Sequence, residues 1–331
     1  MITILAEAEH KNPTIARKQL KVIEYELSKG QPLLVVMEMS PLLLWIMQDK
    51  IFSGEKNVSK LSKYINSTWI ILRKQLTQWA IEGNIYLMSY DVVQILDYQT
   101  ANKAKDYFDI DLPNPWNCFA YRYSKGKKLG LDACSSKSMH IKENKDKIDI
   151  AIEILRNFKL TQYGTPFVKL HNYIFKEIIK HLHTSYDTIT EACDYDKIYT
   201  NYMIARDTTG TKYMNKLLSK FEKSNNYVVI CHVVHAYYSH DPKTNVRYTH
   251  EFREGTDLRF VNYSNLLEPF AGNLEGDKKN IIVIDGNRKF HENSIEYQLV
   301  KMARASGKNK KKLNNKKLNN KKLNNKKLNN K

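Results

Sequence analysis

Ionisable side chains stand at the ends of apolar runs along this chain. Glu7 and His10 follow Ile2-Thr3-Ile4-Leu5, Glu38 follows Leu33–Met37, Asp91 follows Ile85–Tyr90, and His232 and His235 follow Tyr227–Cys231. Arg206 and Asp207 lie on a helical stretch before the last of these runs. Carboxylates beside imidazoles suit general acid–base chemistry. A carboxylate orients an imidazole and stabilises its protonated form. The imidazole then takes a proton from water, while an arginine and a second histidine stabilise the developing oxyanion. Singly, each residue has a structural use. Asp91 reads first as the cap of the next helix, His232 and His235 as packed core histidines, and Arg206-Asp207 as surface charges. Their coincidence at four strand ends argues for one site, because ligands in open α/β sheets bind in the crevice at the carboxyl ends of the strands.

The elements that must hold these residues follow from periodicity. Ile2–Leu5 reads as a strand, and Asn12 or Thr14 with Pro13 as the start of a helix to about Ser28, ended by Gly30. Leu33–Met37 is continuously apolar, as in a parallel strand buried on both faces. Strand, helix and strand then read as a βαβ unit, with the first two strand ends side by side. Val58–Glu82 carries an amphipathic stripe through Trp69 and Trp79 and reads as one long helix, followed by a strand at Ile85–Asp91 and a helix from Val92 to Phe108. Residues 113–144 are irregular. Helices are expected at Ile148–Phe158, Phe167–His183 and Tyr186–Phe221, the last broken. Strands are expected at Tyr227–Cys231 and Asn280–Ile284, with β-like runs at Arg247–Phe252 and Leu258–Tyr263 and a closing helix at Ser294–Ala303. The fold class is α/β: a mostly parallel central sheet flanked by helices, in one domain over residues 1–306. A helical insertion spans about 140–225.

Residues 307–331 form a separate tail. Four copies of Lys-Lys-Leu-Asn-Asn begin at Lys311, and their leucine recurs every five residues, matching neither helix nor strand. The tail is expected to be disordered. Lys308–Lys331 holds 11 lysines and no acid, and removing them from the net +18 leaves +7 for the body. No specific nucleic-acid partner is expected, and the basic tail is suited at most to anionic surfaces. Cys118, Cys134, Cys193 and Cys231 form no C-x-x-C pair, which argues against a disulfide framework or zinc knuckle. With no basic leader and no run of 18 apolar residues, a cytoplasmic protein is expected, or a secreted effector without a classical signal peptide. A composition rich in Lys, Asn, Ile and Tyr points to an AT-rich bacterial genome.

These motifs resemble the erythromycin esterase-like proteins, within a group that includes the ChaN-type haem-binding lipoproteins and the Tiki/TraB proteins. Ala6-Glu7-Ala8-Glu9-His10 is similar to the family's G-E-A-x-H, with Ala6 for glycine. Val35-Val36-Met37-Glu38 is similar to its second strand ending in glutamate. Arg206-Asp207 matches R-[DE]-x-x-M-A, whose Met-Ala is replaced in Thr208-Thr209-Gly210-Thr211. His232-Val233-Val234-His235 keeps both histidines of H-N-x-H and loses the asparagine. The resemblance implies a hydrolase acting on an ester or related carbonyl bond of a small-molecule or peptide substrate. His10 would activate water, oriented by Glu7 or Glu38, and Arg206, His232 and His235 would bind the carbonyl or oxyanion. No cofactor is implied for the esterase branch. The Tiki-like branch implies a metal-dependent protease using a divalent metal, and the ChaN-like branch a haem- or ligand-binding protein.

Overall fold

Four of the apolar runs pair into one sheet, and a fifth strand closes its edge. A computed structural model describes residues 2–7, 12–66, 69–113, 141–160, 167–191, 206, 208–217, 226–232, 239–241, 246–248 and 279–284. The strands are β1 (Ile2–Glu7), β2 (Leu33–Met37), β3 (Ile85–Ser89), β4 (Asn226–His232) and β7 (Lys279–Ile284), in the order β3-β2-β4-β1-β7 with every pairing parallel. All five residues of β2 and of β3 are buried. Such unbroken apolar runs are what a sheet covered on both faces requires. A short antiparallel pair, β5 (Ser239–Asp241) and β6 (Val246–Tyr248), stands apart. It overlaps the expected Arg247–Phe252 run only at its start.

The order corrects one expectation. β1 and β2 are not neighbours, because β4 lies between them and pairs with both. Tyr227–Cys231 is buried throughout, so a central position suits this late strand better than an edge. Consecutive strands are adjacent only about two-thirds of the time.

Helix α1 (Pro13–Leu27) begins as its sequence dictates. Asn12 Oδ1 accepts hydrogen bonds from the Thr14 and Ile15 amides at 2.9 and 3.4 Å, and Pro13 occupies the first turn. Gly30, at φ +80°, takes the left-handed conformation that ends the turn after it. Helix α2 (Pro41–Phe52), capped by Ser40, is buried from Pro41 to Asp49, which explains its almost unbroken apolar sequence. The expected single helix over 58–82 is interrupted. A short α3 (Val58–Leu61) runs into a 3-10 turn at Ser62–Tyr64, the chain leaves helical geometry at Ile65, and α4 (Ile70–Ile81) starts afresh after Trp69. The sequence Asn-Ser-Thr at 66–68 disfavours a continuous helix, since such side chains compete with it for backbone hydrogen bonds. The expected helix at 92–108 likewise divides, into a 3-10 turn at Val92–Leu96 and α5 (Tyr98–Phe108), which Asp97 caps through the Thr100 amide at 2.6 Å.

Between β3 and β4 lie α6 (Ile141–Asn157), α7 (Val168–Lys180), α8 (Leu182–Glu191) and helical residues 208–217, the expected helical layer. Helix α1 packs with α4, and α2 with α5 and α7, so the sheet is covered by two groups of helices. Most of 113–144, the Leu258–Tyr263 run, the closing helix and the 307–331 tail lie outside the described residues. Among the described residues, no helix is long and apolar enough to cross a membrane.

Candidate functional site

Parallel pairing brings every strand's carboxyl end to one edge. Across that edge the order is Asp91 just beyond β3, Glu38 just beyond β2, His232 at the end of β4, and Glu7 at the end of β1. Glu7 and His232 are register partners. Glu7, Glu38 and His232 thus stand at one edge of the sheet, Arg206 bonds to Glu38 there, and His10 and His235 lie outside the described residues.

Glu38, Asp91 and Arg206 form one buried ionic cluster. Arg206 Nη2 donates to Glu38 Oε1 at 2.7 Å, Nε donates to Asp91 Oδ2 at 2.9 Å, and Nη2 also reaches Asp91 Oδ2. Asp91 is fully buried, and Arg206 and Glu38 are 7% and 9% exposed. The planar guanidinium fork can serve two carboxylates at once, which a lysine cannot do in this geometry. Arg206 thus faces two carboxylates. The Ser89 hydroxyl ties the two strand ends together. It donates to the Met39 carbonyl and accepts from the Asp91 amide at 3.0 Å and the Met39 amide at 3.4 Å.

Asp91 is thus not a helix cap. It stands at the head of the 3-10 turn but makes no side-chain capping bond there. Its ion-pair partner is 115 residues away, a pairing that no local pattern reports. Gly210 has a local cause. A Cβ at this position would stand 3.0 Å from both the carbonyl oxygen and Cδ2 of Tyr90. Glycine lets the helix bearing Arg206 approach the chain between Ser89 and Asp91. Burial pushes the Tyr90 phenol well above its ordinary value, and the charge of Glu38 adds to the effect, so Tyr90 stays protonated. Burial also holds the Asp97 carboxyl above its usual range, while its hydrogen bonds with Thr100 act against this.

Glu7 is held differently. Its Oε1 accepts from Trp69 Nε1 at 2.9 Å and its Oε2 accepts from Gln19 Nε2 at 2.8 Å. Both donors are neutral, and Glu7 is 2% exposed. Trp69 is available because the helix breaks just before it. The sequence offered Trp69 only as one position of an amphipathic stripe. The signal that could have separated it is the Asn-Ser-Thr cluster at 66–68.

A second buried polar network lies toward the other end of the sheet. His171 Nε2 donates to Asp49 Oδ1 at 3.0 Å, which leaves Nδ1 to accept the Tyr86 hydroxyl at 2.9 Å, and Tyr107 donates to Asp49 Oδ2. Trp45 stacks on the His171 ring at 4.5 Å between centroids. Burial lowers the His171 pKa, and Asp49 opposes the shift. His171 is fully buried, so this network joins α2, α5, α7 and β3 rather than meeting a ligand. A surface groove of about 440 Å³ also lies at that end, lined in part by Gly30, Pro32, Trp79 and Asn84. Among the described residues, no three His, Cys, Asp or Glu side chains are grouped as a metal would require.

No protein-family model matches this sequence, and no curated protein matches it. Similar solved structures include a mutant erythromycin esterase, EreC, in its open conformation, at 10% identity and a TM-score of 0.47, covering 85% of this chain and 69% of that one. A protein from Bacillus cereus is 13% identical with a TM-score of 0.41, covering 71% of this chain and 57% of that chain. A succinoglycan biosynthesis protein gives 13% and 0.41, with coverage of 74% and 60%. This chain therefore spans little more than half the length of the Bacillus cereus protein. These are distant similarities of fold and carry no argument about activity or substrate.

Proposed function

We propose that the carboxyl edge of the sheet is a hydrolytic site that activates water against an ester or related carbonyl bond, with His10 as general base and Glu7 as its orienting carboxylate. The observation that carries this reading is the contrast between the two glutamates. Glu38 takes a charged hydrogen bond from Arg206, which offsets its charge. Glu7 takes hydrogen bonds from the neutral donors Trp69 and Gln19, one on each oxygen, which fix its carboxylate. A carboxylate of this kind can hold an imidazole N–H and stabilise the imidazolium. His10 follows Glu7 by three residues in the sequence.

In this mechanism His10 accepts a proton from water as the water oxygen bonds to the carbonyl carbon. The tetrahedral oxyanion is stabilised by His232 and His235. The imidazolium then returns the proton to the leaving alkoxide as the carbon–oxygen bond breaks. Arg206 bonds Glu38 and Asp91 through Nε and Nη2, which helps build the edge, and contacts the oxyanion beside the two histidines. The test is turnover of a panel of p-nitrophenyl esters by wild type, His10→Ala and Glu7→Gln. Loss of a general base or its partner should cost about 10²–10⁴-fold in kcat. Wild-type turnover in both variants would overturn the assignment.

A further inference from the structure

We infer that Trp69 and Gln19 are positioning residues for Glu7, acting through its carboxylate and not on the substrate. The inference rests on the role proposed for Glu7. Three features of the fold point to it. First, the donors come from different elements, Trp69 from the head of α4 and Gln19 from α1, and each takes a different oxygen of Glu7. Anchoring both oxygens fixes the plane of the carboxylate, which a single hydrogen bond does not.

Second, Gln19 is fully buried on the face of α1 that carries Ile15 and Ile23, where packing alone favours an apolar side chain. Its Oε1 has no hydrogen-bond partner among the described residues. A buried amide with an unsatisfied oxygen is costly. Its retention is explained if the Nε2 donor is what the site needs. Third, the helical stretch breaks at Ile65–Trp69, and that break leaves the Trp69 indole with its N–H on Glu7 while its ring stays 4% exposed.

The remaining described charges at this edge are Glu38, Asp91 and Arg206, which are bonded to one another. Trp69 and Gln19 each donate to Glu7 and together hold its two oxygens.

The test uses the full-length protein with Trp69→Phe, Gln19→Leu and Glu7→Gln, singly and combined, on p-nitrophenyl acetate. It also records the indole N–H resonances of 15N-tryptophan-labelled protein. Trp69→Phe and Gln19→Leu should each lower kcat about tenfold with KM within twofold, because they disturb orientation rather than substrate binding. In the Glu7→Gln background the same substitutions should cost nothing further, since residues acting through one group are not additive. The Trp69 N–H resonance, assigned by its loss in Trp69→Phe, should move in Glu7→Gln. An equal further loss in the Glu7→Gln background, or an unmoved indole resonance, would overturn the inference. A moved resonance with wild-type turnover in Glu7→Gln would instead leave the contact real and overturn the catalytic role of Glu7.

Discussion

Replacing Arg206 with methionine removes the cation from a buried cluster and leaves Glu38 and Asp91 facing each other. Methionine replaces the aliphatic stem but stops short of the guanidinium, so the loss combines its ion pairs with the space it filled. Arg206 and Glu38 are 7% and 9% exposed and Asp91 fully buried, so water cannot replace the guanidinium at modest cost. Removing one partner of a buried ion pair costs about 3–5 kcal/mol, out of a typical total of about 5–15 kcal/mol. At about 2–4 °C per kcal/mol for a domain of this order, the melting temperature should fall by roughly 10 °C. The sign of the pH dependence follows. Protonating a carboxylate relieves the uncompensated charge, so the deficit of Arg206→Met against wild type should be largest near pH 7 and shrink toward pH 4. Arg206→Met/Asp91→Asn should recover part of the loss, and Arg206→Lys should be intermediate, because it keeps the charge and loses the fork. Urea unfolding at several pH values measures all of these. A deficit below about 1 kcal/mol at pH 7, or one that does not change with pH, would refute the claim that this cluster is a tightly coupled buried unit.

Other expectations concern the Tyr90 contact and the second polar network. Gly210→Ala should destabilise by about 1–3 kcal/mol, since its Cβ would meet the Tyr90 carbonyl at 3.0 Å; thermal melting checks this, and an unchanged melt would mean that the helix can shift freely. Burial sets the folded pKa of His171 below its ordinary 6.5, with Asp49 opposing. Its contribution to stability is therefore present above about pH 6.5 and lost as pH falls from there through the folded value. The urea midpoint should decline over that range, and His171→Gln should flatten the decline. Tyr107→Phe removes a donor from Asp49 and should cost about 1–3 kcal/mol, read from the same urea curves.

The parts of this fold legible in the sequence are those coded locally. The strands announce themselves as apolar runs, and α1 announces itself by Asn12, Pro13 and Gly30. The order of strands was not legible, because no periodicity states that Tyr227–Cys231 belongs between the first two. Nor was the broken helix at Ile65–Trp69, where a continuous stripe conceals a change of backbone. Glu7, Glu38 and His232 could be nominated from their positions at strand ends, and Arg206 from the helical stretch before the last strand. Asp91 was misread as a cap because its partner is remote in sequence. Gln19 and Trp69 pass for ordinary helix residues until their distances to Glu7 are known.

The most direct test of the central claim is the rate of ester hydrolysis by wild type and His10→Ala, measured on one panel of p-nitrophenyl esters with melting temperatures recorded alongside. The account predicts measurable turnover in wild type and a loss of at least about 10²-fold in the variant, with a melting temperature within a few degrees. Equal turnover in the two proteins, or no turnover by wild type on any ester of the panel, would contradict it.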